Sequence, residues 1–207
     1  AAQSVTWAIE QGAVGGMPLM GFAFGCASNA DAFVPSPNQF TYFQAGGFDC
    51  SLLSFLQIDG HGSVNVSKLG VRPHVTAGAG GFVDITARAK RIVFSGYFNA
   101  GARMEIVEGR LRIEKEGKVK KLVKEVEQIS FSGRRGVMQG QDVTYVTERC
   151  VLKLTPEGIV VTEIAPGVEL QPNILDQAEF PLIVSPALKQ MEAGLFRPDV
   201  MGMKLDA

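Results

Sequence analysis

Along the first hundred residues, short apolar runs alternate with clusters of glycine. Residues 22–24, 40–43 and 51–58 are the apolar runs. Gly12, Gly15 and Gly16, then Gly46 and Gly47, Gly60 and Gly62, and Gly78, Gly80 and Gly81 punctuate them. This spacing predicts strands and short helices joined by tight turns, with loops gathered on one edge of a sheet. Residues 84–98 have the pattern of a small βαβ fragment, with helix formers at 86–90 followed by a buried strand at 91–96.

The middle of the chain changes period. Residues 104–107, 110–113 and 119–123 alternate polar and apolar positions and are separated by Glu108-Gly109 and Glu116-Gly117. They predict half-exposed antiparallel strands joined by hairpin turns. Residues 144–154 and 159–164, joined across Pro156-Glu157-Gly158, predict another strand pair. Near the end, Ser185 as N-cap, Pro186 at the first helical position, and Leu188, Met191 and Leu195 at helical spacing predict a helix. There is no internal repeat, low-complexity tract or linker. Residues 1–207 read as one α/β domain with an antiparallel hairpin excursion.

Charge and composition narrow the partners. Twenty basic residues against twenty-one acidic ones leave a net charge of −1, which gives no bulk attraction to nucleic acid or a membrane surface. Lys115, Lys118, Lys120, Lys121 and Lys124 interleave with Glu114, Glu116, Glu125 and Glu127, the signature of a solvated hairpin face. No apolar run approaches the ~18 residues of a membrane span. Cys26, Cys50 and Cys150 are odd in number and widely spaced, forming neither a disulfide framework nor a CxxC metal pair, so a reducing cytoplasm is the expected location. His61 and His74 lie in loops flanked by glycine or proline and read as loop polarity. No metal site is expected.

Three places are left for chemistry. Glu10 ends a short apolar run and is followed by the glycine turn of residues 12–16, a place where backbone N–H groups crowd around a side chain. Residues 59–67 form a polar turn entering a strand and include Asn65. Residues 78–82 form a second glycine loop, in which Gly80 and Gly81 let the backbone approach a ligand closely; no Gly-Lys-Ser or Gly-Lys-Thr follows, so it is not a Walker loop. Singly, each is also compatible with an ordinary surface turn. Together they suit acyl transfer: a carboxylate is ionised at neutral pH and needs no histidine to attack a thioester, only donors for the oxyanion and limited access for water.

The sequence resembles the second half of the family I CoA-transferases, in particular the single-chain acyl-CoA:acetate/3-ketoacid enzymes and the β subunits of their two-chain relatives. IEQGAVGG at 9–16, FGCASNADAF at 24–33, QFTYFQAGGFD at 39–49, GSVNVSKLG at 62–70 and GAGGFVDITARAK at 78–90 carry the resemblance. VEQISFSG at 126–133, VTYVTERCVLKL at 143–154 and VTEIAPGVELQ at 161–171 continue it. It implies an open mixed α/β sheet of the CoA-transferase (NagB/RpiA-like) type. It also implies a ping-pong transfer of CoA between a short-chain acyl-CoA and acetate or a 3-keto acid, through an acyl-glutamyl anhydride and a glutamyl-CoA thioester. By position in the motifs, Glu10 is the nucleophile, Gly80 and Gly81 lie beside the thioester, and Asn65 is a further contact. The implied substrates are acyl-CoA and short carboxylic acids, with no permanently bound cofactor. The implied partners are an N-terminal half or subunit and further copies of the complete enzyme. An acyl-CoA hydrolase or lyase subunit on the same scaffold, or a non-catalytic partner subunit, are the alternative readings. The nearness of Glu10 to the chain start makes this chain an expected C-terminal piece of a longer enzyme or one chain of an assembly.

Overall fold

The computed structural model describes residues 5–70 and 78–201. An N-terminal lobe of short pairs comes first: β1 (Ala13–Val14) with β4 (Ala32–Phe33), and β2 (Met17–Pro18) with β3 (Ala27–Ser28). Helix α1 (Ser36–Gln44) leads to β5 (Cys50–Ser54), and β6 (Gln57–Ile58) pairs with β7 (Val64–Asn65) as a small hairpin. Helix α2 (Phe82–Thr86) precedes β8 (Arg91–Ser95). Then come β9 (Asn99–Ala100), β10 (Arg103–Val107), β11 (Arg110–Lys115), β12 (Val119–Lys120) and α3 (Gly133–Met138). The chain closes with β13 (Asp142–Val146), β14 (Cys150–Thr155), β15 (Gly158–Ile164), α4 (Leu170–Asn173) and β16 (Ile183–Gln190).

One six-stranded sheet in the order β16-β15-β14-β13-β8-β5 organises these elements. Strands β5, β8 and β13 run parallel, β14 and β15 are antiparallel additions, and β16 is parallel to β15. The expected open mixed sheet is therefore present. Its register sets Leu53, Phe94, Tyr145, Leu152 and Val161 in one row across five strands. Alternation then places the row on one face, where Phe94, Tyr145, Leu152 and Val161 are fully buried. Phe82 of α2 stacks on Phe94 with centroids 5.6 Å apart, and Phe131 closes on the same ring at 5.3 Å. The Tyr145 hydroxyl donates to the Gly62 carbonyl at 2.6 Å, tying the β6–β7 hairpin to the sheet.

Several expectations need correction. Residues 185–195 do not form the expected helix; only a short 3-10 turn, Ala193–Phe196, closes the segment. Most of the segment is edge strand β16, whose register against β15 jumps from Val184 to Lys189 while β15 advances from Val161 to Glu163. Pro186 lies in that bulge, where a residue without an N–H is tolerated, and Ser185 Oγ accepts from Ala187 N at 3.1 Å. The helix before β8 lies at Phe82–Thr86, upstream of the segment 86–90. Glu108-Gly109 does close the β10–β11 hairpin, with φ of 51° and 74° as a primed turn requires. Glu116-Gly117 does not close a second one, because β12 pairs with β9. Residues 144–154 divide into two strands at the turn 147–149, where the Thr147 hydroxyl oxygen accepts from the N–H groups of Arg149 and Cys150.

Arg149 explains why Glu116 leaves the hairpin. Its fully buried guanidinium donates to both Glu116 oxygens at 2.8 Å, to Glu148 Oε1 at 3.0 Å and to the Asn173 carbonyl at 3.0 Å. Burial pushes the Glu116 carboxyl up, but the bidentate guanidinium overrides it and leaves the group below the usual carboxylate range. Glu116 thus stabilises the fold above pH 4.5, and that contribution disappears as pH falls through its lowered value. Arg149→Met should cost about 3 kcal/mol in urea unfolding, because it leaves two carboxylates without their partner. The variant should also lose less stability than the wild type on acidification through this range. The thiols give an independent check. Cys26 and Cys50 are exposed, and burial pushes Cys150 up to about 12. A thiol reagent at pH 8 should modify Cys26 first, then Cys50, whose thiol burial also raises, and Cys150 only after unfolding.

Candidate active site

Glu10 lies at the tip of a hairpin rather than at the end of a strand. Ala8 bridges Val14, and the Gly12 N–H donates to the Ile9 carbonyl at 2.8 Å, closing a turn over Ile9, Glu10, Gln11 and Gly12. Gly12 has φ +110°, and a Cβ there would meet the Val34 carbonyl oxygen at 2.1 Å, so the turn requires glycine. Gln39, from the first turn of α1, donates its amide to the Ile9 carbonyl at 3.1 Å and fixes the turn from outside.

The half-buried Glu10 carboxylate meets the second glycine loop, 71 residues away in sequence. Its Oε1 accepts from the Gly81 N–H at 3.0 Å. A Cβ on Gly80, which has φ +52°, would lie 2.8 Å from Oε1. One on Gly81 would lie 2.3 Å from Phe40 Cε1 and 3.1 Å from Glu10 Cδ. Both positions are glycine because the carboxylate and the Phe40 ring fill the space. Gly81 is also the N-cap of α2, and the Phe82–Phe94 stack holds that helix end over the last residues of β8. The pair therefore stands at the carboxyl ends of the parallel strands, where open α/β sheets gather their ligands.

Asn65 is placed differently. It is fully buried, and its side chain is committed within its own loop. Nδ2 donates to Gln57 Oε1 at 2.7 Å and to the Lys68 carbonyl at 2.5 Å, while Oδ1 accepts from the N–H groups of Ser67 and Lys68. Among the described residues no hydrogen bond joins it to Glu10; its bonds tie Gln57 to the turn at Ser67 and Lys68. Asp59 likewise caps its own turn, accepting from the N–H groups of His61 and Ser63. His61 contacts Arg134 at 2.9 Å, and His74 lies outside the described residues. Gln39 and Phe40 were not legible as site residues: a polar and an aromatic residue opening a helix carry no signal of the turn they brace.

Beside the Glu10 hairpin the lobe is open. Met20, Phe22, Phe24 and Phe33 are each at least 77% exposed. A groove of about 390 Å³ runs between Thr6, Gly15, Gly16, Ser28, Asn29 and Asp31. Among the described residues, Glu10 has no cationic partner within 4.0 Å, and no three His, Cys, Asp or Glu side chains gather as a metal site needs. The arrangement is a carboxylate held by one backbone donor beside an aromatic wall. It is suited to nucleophilic attack and to stabilising an oxyanion on the attacking group.

A scan against models of known protein families finds no match. Individual proteins match strongly. Caffeate CoA-transferase of Acetobacterium woodii is 44% identical over 197 residues, covering 94% of this chain. Acetate CoA-transferase YdiF of Escherichia coli (strain K12) is 42% identical over 198 residues, covering 95%. The fold superposes on the crystal structure of the acyl-CoA transferase YdiF apoenzyme from E. coli O157:H7 with a TM-score of 0.86, at 40% identity over 95% of this chain.

Over nearly its whole length the chain is homologous to a part of these CoA-transferases. It spans 37% of the length of the curated relatives it matches. A second solved YdiF structure, a thioester complex with CoA, superposes with a TM-score of 0.87. Glutaconate CoA-transferase from Acidaminococcus fermentans, 14% identical with a TM-score of 0.66, shares the fold. Neighbouring glycines test the geometry around Glu10. Gly81→Ala should cost about 1–3 kcal/mol by overpacking and should raise carbodiimide labelling of Glu10 as its hydrogen bond breaks. Gly78→Ala, whose added methyl meets nothing within 4 Å, should leave both unchanged.

Proposed function

We propose that this chain is the nucleophile-bearing part of a CoA-transferase that moves CoA between a short-chain acyl-CoA and a carboxylic acid such as acetate or a 3-keto acid. The observation that carries the reading is the Glu10 carboxylate meeting the Gly81 N–H across 71 residues. One Glu10 oxygen attacks the thioester carbonyl; the C–S bond breaks, leaving a mixed anhydride and CoA thiolate. The thiolate then attacks the glutamyl carbonyl, which forms a C–S bond and releases the donor acid as its carboxylate. The acceptor acid reverses both steps. In the second step negative charge builds on a Glu10 oxygen, and the Gly81 N–H already points at that atom. Phe40 and the glycine backbone limit the room for water, which would hydrolyse the anhydride.

Residues 1–207 act here as the C-terminal catalytic part, with an N-terminal half or subunit completing the acyl-CoA and acid pocket. The exposed apolar lobe of Met20, Phe22, Phe24 and Phe33 supports that reading, since such a patch beside a reactive carboxylate marks a surface that another part covers. Asn65 contributes by bracing the turn at Ser67 and Lys68 that follows the β6–β7 hairpin. Three free thiols suit a reducing cytoplasm.

The test is intact-mass and peptide-mass analysis of the complete enzyme mixed with acyl-CoA alone. A covalent CoA adduct should appear on the Glu10 peptide and be absent from Glu10→Ala and Glu10→Gln. Transfer by those variants should drop by about 10⁴-fold or more, as for other covalent nucleophiles. Full turnover in Glu10→Ala would sink the proposal, and rapid acyl-CoA hydrolysis without an acceptor acid would replace it with a hydrolase.

A further inference from the structure

Lys121 is not on a solvated face. It is half-buried, with Nζ 4.1 Å from the centroid of the Phe55 ring. Phe55 follows β5, Gly96 follows β8, and the turn 147–149 follows β13, so the amine stands at the carboxyl ends of all three parallel strands. A Cβ on Gly96 would come 3.2 Å from Nζ and 3.1 Å from Phe55 Cε1, so glycine at 96 leaves the ammonium and the ring their room. Phe94 and Gly96 point to the same face, and on that face Phe82 holds the end of α2 next to Gly81 and Glu10. Phe55 runs directly into the Asn65 hairpin, where the Leu56 N–H donates to the Asn65 carbonyl at 2.8 Å.

Lys121 has no carboxylate within 4.0 Å among the described residues. The charged group that faces it is Glu148, whose oxygens are already engaged by Arg149 Nε at 3.0 Å and by the Phe98 N–H at 2.8 Å. Burial brings the lysine down to about 8, with Glu148 opposing only in part. On the β5 and β8 sides, Phe55 and Gly96 approach the amine. A cation kept partly out of water without a contact partner is stabilised when an anion arrives, and the amine then takes up a proton.

We propose that the Lys121 ammonium binds an oxyanion group of the substrate at the carboxyl edge of the sheet, either the carboxylate of the acid or a phosphate of the acyl-CoA. The proposal rests on the acyl-CoA reading above, and it adds a binding residue that the Glu10–Gly81 geometry does not include.

In the complete enzyme, Lys121→Met keeps the stem over Phe55 and removes the charge. It should raise one KM by about ten- to a hundredfold with kcat within about threefold, and Lys121→Arg should restore most of the affinity. A change confined to the acid's KM assigns the carboxylate. A change in the acyl-CoA KM that disappears with an acyl-pantetheine lacking phosphates assigns the phosphate. The affected wild-type KM should rise above pH 8, and that of Lys121→Met should be flat there. Unchanged KM values and pH profile in Lys121→Met, whatever its melting temperature, would overturn the proposal and leave the amine as a packing group on Phe55. Calorimetric binding of the acid or of CoA at pH 7 and pH 9 reads the site without turnover. Failure of the Glu10 adduct and failure of Lys121 binding are thus separate results.

Discussion

The Phe94 ring is the contact on which the rest of this structure depends. It lies in the middle strand of the parallel trio, in a row with Leu53 and Tyr145, and it receives Phe82 on one side and Phe131 on another. Phe82 starts the helix whose N-cap N–H holds Glu10. Tyr145, stacked on the same ring at 5.6 Å, reaches the hairpin that carries Asn65 through the Gly62 carbonyl. Two segments far apart in sequence thus take their positions from one buried aromatic cluster. A protein interior packs too densely to shift one of these rings without moving both segments.

Much of this was legible in the residues, for reasons that can be named. The β10–β11 hairpin announced itself because Glu108-Gly109 puts a glycine in a two-residue gap between two alternating runs, where a turn with positive φ needs one. The strand at Arg91–Ser95 announced itself because a strand buried within a parallel sheet is a continuous apolar run. Glu10 and the loop at Gly80–Gly81 stood out because glycines leave backbone N–H groups open beside a carboxylate. That the two meet was not in the local pattern, since it depends on how α2 packs on the sheet.

The misreadings share one cause: a local signal was overridden by a distant partner. Ser185-Pro186 has the chemistry of a helix start, but the edge of β15 captured the segment and turned the same serine to capping a bulge. Glu116-Gly117 has the chemistry of a hairpin turn, but the buried guanidinium of Arg149 took the carboxylate. Lys121 belonged to an evenly mixed run of charges, and only the register of β5 and β8 shows that Phe55 and Gly96 make room for it. In each case the deciding residue lies at least 20 positions away along the chain.

The bulge in β16 has a further consequence for how the sheet can grow. A regular edge strand offers a row of free N–H and C=O groups to any other extended chain, and this invites uncontrolled pairing. Pro186 and the four-residue detour around it break that row on the β16 side. The opposite edge, β5, is straight through Cys50–Ser54 and lies against no described strand on its outer side. The sheet is therefore polarised: one border is closed to extension by the chain's own geometry, and the other keeps an unbroken hydrogen-bonding rim along which a further strand would fit in register.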